Sequence, residues 1–186
     1  FWRIRYDDFK RPMKLDYNLS FMDPIAIAEG FAKPFESCRL KAYWDVAGFP
    51  TNGWGNLLSR TRIQDLMRDN GWTKQQCNEW LNTKWPEISQ VQADADLERN
   101  IGKAFNSVLR LVKVGLNEYQ YAALIDFAFN LGAGNLQIST LLRMINRGEI
   151  IDAADQFLRW DKAGGVQIRG LIRRCKARRD LFLKGL

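Results

Sequence analysis

The sequence predicts a mostly α fold of the α+β kind, with one small β-hairpin near the front and helices behind it. Three observations carry this expectation. Apolar residues recur at helix spacing through the second half of the chain, and capping-type sequences mark several helix starts. Strand-type residues broken by glycine, proline and asparagine gather between 41 and 54. At 186 residues the chain suits one domain, or two small lobes sharing a core.

The elements follow in order. Residues 1–23 mix aromatics with both charge signs and show no steady period, so they read as an extension. Asp23-Pro24 has the form of a helix start, with aspartate at the N-cap and proline in the first turn. Ile25, Ile27, Ala28, Phe31 and Phe35 continue an apolar helix that Pro34 should bend or end. Tyr43, Val46, Phe49 and Trp54, interrupted by Gly48, Pro50, Asn52, Gly53 and Gly55, read as the hairpin. Thr73-Lys74-Gln75-Gln76 is a capping box that opens a helix to about Lys84, before Pro86. Residues 93–112 are helical, with apolar positions at 97, 101, 104, 105, 108, 109 and 112. Asn117-Glu118-Tyr119-Gln120 opens the most buried helix, closed by Gly132 and Gly134. Helices over 139–147, 150–159 and about 171–183 complete the chain, and no linker splits it.

Composition narrows the chemistry. The chain has no histidine, which excludes Ser-His-Asp and Cys-His mechanisms and any zinc site that needs imidazole. Three cysteines cannot build a four-thiolate site, and no phosphate loop or dinucleotide fingerprint is present. No cofactor and no metal are therefore expected, and carboxylates are the natural carriers of acid–base catalysis. Glycoside hydrolysis is the commonest reaction that needs only a pair of them. The net charge of +7 favours a polyanionic partner such as nucleic acid, anionic lipid or bacterial cell wall, or else simply a solvated basic surface. Cys38, Cys77 and Cys175 leave two alternatives, one bridge with a free thiol or three reduced buried thiols. Beginning at Phe1, the sequence is expected to have lost an initiator methionine or to be a processed or truncated product. It shows no secretory apolar region, and residues 119–142 read as a core helix and its turn rather than a membrane span.

One stretch gathers the residues such chemistry needs. Glu36 stands at the end of the first helix, Asp45 follows on the hairpin, and Thr51 precedes the Gly53-Trp54-Gly55 turn. A helix end against a hairpin makes a cleft in which two carboxylates can diverge in pKa. The less solvated one stays protonated as general acid, the wetter one stays ionised, and a hydroxyl can orient water, as an inverting glycosidase requires. Spacing of this kind also arises by chance as a surface salt-bridge pattern.

The stretch resembles the catalytic region of phage-type lysozymes (endolysins, the T-even phage lysozyme-like muramidases). Their pattern is Glu, eight residues, Asp or Cys, five residues, Thr, and Glu36, Asp45 and Thr51 fit it without gaps. The flanking Arg39-Leu40-Lys41-Ala42-Tyr43 and Gly53-Trp54-Gly55 fit as well. Residues 117–142 resemble the family's core helix and following turn, and 157–182 its C-terminal part, so the resemblance covers about 25–186. It implies a lysozyme-like fold, with a hairpin lobe over about 24–92, a helical lobe over about 93–186 and the cleft between them. It also implies hydrolysis of the β-1,4 bond between N-acetylmuramic acid and N-acetylglucosamine in peptidoglycan.

In that reading Glu36 protonates the leaving oxygen, Asp45 activates or steadies the attacking water, and Thr51 helps to hold it. Leu57, Phe129, Asn130 and Gln156 fall where the family lines its sugar cleft. The partner is then the wall of a bacterial host, reached in the periplasm during phage-induced lysis by a monomer that binds no nucleic acid and inserts stably in no membrane. The sequence departs from the family at Asn56, where a histidine and its ion pair are usual, and at Arg178, where glutamate is common. Pro34 and the stretch around Trp85-Pro86 are also unusual.

Three rivals remain. A non-catalytic lysozyme-like domain that binds peptidoglycan or acts as a scaffold should have lost part of the triad, and here all three residues stand. A nucleic-acid binder would use the basic run Arg169, Arg173, Arg174, Lys176, Arg178 and Arg179, but Asp180 breaks the run and no recognition motif accompanies it. A solvated basic helix face drawn to the cell wall is the expectation for that run. A lytic transglycosylase can work with a single glutamate, which would leave Asp45 and Thr51 without a purpose.

Overall fold

The computed structural model describes residues 23–184 and Leu186, so the expectations for residues 1–22 lie outside the described residues. The Asp23 side chain accepts a hydrogen bond from the Ile25 N–H at 2.9 Å, and Pro24 fills the first turn of α1 (Pro24–Ala32). Pro34 then tightens the backbone into a 3-10 turn, Lys33–Phe35, which delivers the chain to Glu36. Three antiparallel strands follow rather than the expected two: β1 (Arg39–Trp44), β2 (Pro50–Gly53) and β3 (Asn56–Leu57), in the order β1-β2-β3. The third has only two residues, too few to show alternation.

An unexpected helix, α2 (Ile63–Asn70), comes next. Its N-cap is Arg62, whose backbone N–H is met by the Asp65 carboxylate at 3.2 Å, and it stops at Gly71. The capping box at Thr73 and Gln76 forms and opens α3 (Lys74–Lys84). Helix α4 (Gln90–Leu111) begins earlier than its apolar pattern. Ser89 and Gln92 form a reciprocal cap, the Ser89 N–H donating to Gln92 Oε1 at 2.8 Å and the Gln92 N–H to Ser89 Oγ at 3.2 Å. Asn117 and Gln120 cap α5 (Glu118–Leu131) in the same way. Gly132 ends α5 as expected, but Gly134 lies inside a short α6 (Ala133–Ile138). After α7 (Thr140–Asn146), the helix expected over 150–159 divides into α8 (Ile150–Ala154) and a 3-10 turn, Asp155–Arg159. A second hairpin, β4 (Lys162–Ala163) and β5 (Val166–Gln167), turns at Gly164-Gly165 and leads into α9 (Arg169–Leu183).

The chain groups into two compact units. One is Glu36–Asn100, and the other joins the residues up to Phe35 to Ile101–Leu186, so α4 contributes to both. The first unit packs Ile63, Leu66 and Cys77 beneath Trp44, Trp72 and Trp80. The second is built round α5, in which Ala122 to Ala128 are all buried. Buried Ala28 and Ala32 let α1 lie close against α5, so α1 belongs with the helical unit, whereas the boundary near 92 drawn from the sequence places it with the hairpin. Phe127, Phe157 and Phe182 meet edge-on in the same core, and Trp160 closes on Phe127 at 4.9 Å.

Helix α9 corrects the expectation of a solvated basic face. Arg174, Cys175, Arg178 and Phe182 recur at helical spacing and are buried, with Arg178 fully covered. Their counter-charge is Asp126 on α5. Arg174 Nη2 reaches Asp126 Oδ1 at 2.6 Å, and Arg178 Nη2 and Nε reach Oδ2 at 2.6 and 2.7 Å. Arg179 pairs with Asp155 at 2.6 Å, which leaves Arg169, Arg173 and Lys176 as the exposed cations of the run. Burial of a charge is tolerable only when it is paired and hydrogen-bonded, and the single carboxylate serves both guanidiniums.

Candidate active site

Glu36, Asp45 and Thr51 all lie in the unit that carries the three-stranded sheet. Glu36 is half-buried at the bend after the 3-10 turn. Its Oε2 lies 3.8 Å from where a Cβ on Gly55 would stand, so the carboxylate borders the turn between β2 and β3. Asp45 leaves β1 into a tight turn whose geometry its own side chain fixes. The Ala47 and Phe49 N–H groups donate to Asp45 Oδ1 at 2.9 and 2.8 Å, and the Gly48 N–H donates to the Asp45 carbonyl at 3.0 Å. Gly48 completes the turn at φ +84°, and a Cβ there would collide with Gln64 Oε1 at 2.4 Å. Thr51 is buried on β2, and its hydroxyl donates to the Phe49 carbonyl at 3.2 Å.

Tyr43 is the common neighbour, a residue that the sequence marks as part of the hairpin and of the family pattern but not as part of the site. It pairs with Thr51 across β1 and β2. Burial lifts its phenol above the ordinary tyrosine value. The Arg39 guanidinium, 4.7 Å over the ring, opposes this, and the negative charges of Glu36 and Asp45 add to it. One side chain thus feels both carboxylates and sits in register with the threonine. Strand alternation, two residues before Asp45, was the signal that could have identified it.

The turn after Thr51 is held from behind. The Trp54 indole N–H donates to Asp94 Oδ1 at 2.7 Å. Asn56 Nδ2 donates to Asn52 Oδ1 at 3.3 Å and to Asp96 Oδ2 at 3.2 Å, while Asn100 Nδ2 donates to Asn56 Oδ1 at 3.1 Å. A neutral amide therefore links the sheet to an aspartate of α4, where a histidine would make an ion pair. Asp96 pairs instead with Arg99. Gly53, at φ +54°, lets β2 approach α4 so closely that a Cβ there would stand 3.3 Å from Ala93 Cβ.

The remaining candidates are divided between the two units. Leu57 is half exposed on β3, in the sheet unit. Phe129 and Asn130 are half-buried in the last turn of α5, where Asn130 Oδ1 accepts from Arg178 Nη2 at 3.2 Å. Gln156 lines a pocket of about 260 Å³ with Thr140, Leu141, Arg159 and Trp160. Among the described residues no group of three or more His, Cys, Asp or Glu side chains gathers as metal donors would, and no helix is long and apolar enough to cross a membrane.

A family model described as phage lysozyme matches residues 33–178. The endolysin of Bacillus phage B103 is 40% identical over 98 residues, which are 53% of this chain and 37% of that protein, so the chain spans little more than a third of that relative. The SAR-endolysin of Bacteriophage PS119 is 34% identical over 150 residues, 81% of this chain and 77% of that one. The crystal structure of a P22 lysozyme mutant aligns with a TM-score of 0.65 at 29% identity, covering 87% of this chain and 99% of that one. The match to the family model takes in the sheet, the candidate carboxylates and most of α9, and the chain belongs to the phage lysozyme family.

Proposed function

We propose that the protein is an endolysin that hydrolyses the β-1,4 bond between N-acetylmuramic acid and N-acetylglucosamine in the peptidoglycan of a bacterial host, acting as a monomer from the periplasm during phage-induced lysis. The observation that carries this reading is the arrangement round Tyr43, which feels both Glu36 and Asp45 and pairs with Thr51.

The chemistry follows from the hydrogen bonds. Glu36, protonated, gives its proton to the glycosidic oxygen as the bond to the anomeric carbon breaks. Two backbone N–H groups hold Asp45 through Oδ1, which leaves Oδ2 to take a proton from water. Thr51 has committed its only proton to the Phe49 carbonyl, so toward a water it can act only as acceptor. A water that donates one hydrogen to Thr51 and the other to Asp45 turns its lone pair to the anomeric carbon. Its oxygen forms the new bond, its proton passes to Asp45, and the anomeric configuration inverts. Leu57, Phe129, Asn130 and Gln156 contact the sugars. An intact Asp45 and Thr51 favours water as the attacking group over an internal hydroxyl of the sugar.

Glu36→Gln tests the assignment, because an amide cannot donate the proton. Wall-cleaving activity should fall by roughly 10²–10⁴-fold in a protein that stays folded. Cleavage near the parent rate would remove Glu36 from the mechanism.

A further inference from the structure

We propose that the pocket between β1 and the end of α3 is a second glycan-binding site, which takes one N-acetylated pyranose of a wall strand against the indole of Trp85. The choice of glycan rests on the wall-cleaving reading above.

Local sequence creates the site. Pro86 bars the helical conformation at Trp85, which adopts φ −128° and ψ 91° while its N–H still donates to the Leu81 carbonyl at 3.0 Å. The indole therefore leaves the axis of α3 and lines a pocket of about 250 Å³ with Lys41, Ala42, Asn82 and Glu87. That volume suits one sugar ring with its substituents. None of these residues is Glu36, Asp45 or Thr51.

The other tryptophans nearby have a structural purpose. Trp44, Trp72 and Trp80 pack on Ile63, Leu66 and Cys77, and Trp85 stands outside that group. Two contacts fix its orientation. Trp80 meets it edge-on at 5.2 Å, and the Lys84 ammonium lies 5.0 Å from its ring centre. The wall opposite is also steady, because the Ile88 N–H donates to the Leu40 carbonyl at 3.2 Å along the outer edge of β1. A half-buried, orientation-locked tryptophan beside a cavity loses little freedom when a ligand stacks on it.

The polar groups match the ligand. A pyranose offers an apolar C–H face for the indole and hydroxyls at its rim. Asn82 carries both a donor and an acceptor, as an acetamido group does. Lys41 and Glu87 are 3.8 Å apart, with side chains 77% and 53% exposed, a loose pair that can exchange partners with hydroxyls at small cost. The lining itself pairs one cation with one carboxylate, which suits a neutral sugar, while the Lys84 ammonium stands against the indole ring.

The test follows the indole N–H resonances of the Glu36→Gln protein during titration with the trimer of N-acetylglucosamine, the Trp85 signal being assigned by its loss in Trp85→Ala. A saturable shift of that signal is expected. Trp85→Ala and Asn82→Ala, each in the Glu36→Gln background, should weaken retention on insoluble peptidoglycan by about tenfold, the usual cost of truncating an anchoring contact. Asn82 is exposed on α3, so its variant decides the matter if Trp85→Ala does not fold. A Trp85 signal unmoved at millimolar trimer, or unchanged retention in the folded variants, would overturn the proposal. Wall cleavage by Glu36→Gln near the parent rate would count against the catalytic reading alone, because the Trp85 signal judges the pocket independently.

Discussion

At Thr51 a single proton sets the expected role. Its hydroxyl donates to the Phe49 carbonyl, so the residue can receive a hydrogen bond from water but cannot give one to the sugar. Thr51→Ser keeps that arrangement and should retain most activity. Thr51→Ala removes the acceptor and should cost less than Asp45→Asn, which removes the proposed base and with it roughly 10²–10⁴-fold in rate. Turnover of a soluble glycan substrate by the three variants gives the order, and an unimpaired Thr51→Ala would take the threonine out of the site. The cysteines offer a second prediction. All three are free thiols, with Cys77 and Cys175 buried and Cys38 half-buried. Burial raises the Cys77 and Cys175 thiols above their ordinary range, so neither supplies thiolate near neutral pH. A disulfide reagent should label Cys38 first, and the other two only once the protein unfolds; rapid labelling of all three would contradict the burial.

Among the elements, the pairing of α5 with α9 carries the largest electrostatic stake. Asp126 is the shared partner of two buried arginines, so Asp126→Asn leaves two cations with one carboxylate fewer and should cost ~3–5 kcal/mol. Arg178→Met should cost less, because Asp126 keeps Arg174 and because Arg178 Nη1 already lacks a hydrogen-bond partner. Denaturant unfolding of both variants checks the order, and equal losses would mean that the network is not centred on Asp126. This network also shows where sequence reasoning reached its limit. Arginines at helical spacing look alike whether they face water or a carboxylate, and the deciding Asp126 lies 48 and 52 residues earlier in the chain. Signals that act within a few residues were legible: the Asp23-Pro24 start and the caps at Thr73 and Asn117. Short elements were not. Helix α2 has an Arg62 N-cap instead of a usual capping residue, and β3 is too brief to alternate. Tyr43 emerged only once strand register had paired it with Thr51. The Trp85 pocket needed β1 and α3 to meet.

For the whole molecule, burial of Arg174 and Arg178 with Asp126 withdraws only one net positive charge from a chain whose total is +7, so the surface stays basic. A basic protein should find an anionic wall faster at low ionic strength. Screening shortens from about 10 Å at 0.1 M salt to about 3 Å at 1 M, so lysis of whole walls should weaken as salt rises. Cleavage of a short neutral oligosaccharide should respond far less, and equal sensitivity on both substrates would show that charge acts on stability rather than on encounter. The reaction itself is read most directly from its products. Purified peptidoglycan digested with the protein should yield fragments that end in reducing N-acetylmuramic acid, because water supplies the new oxygen at the anomeric carbon. Fragments ending in the anhydro sugar would mean that an internal hydroxyl attacked instead. That result would contradict the roles given to Asp45 and Thr51, and release of no fragments would contradict catalysis altogether.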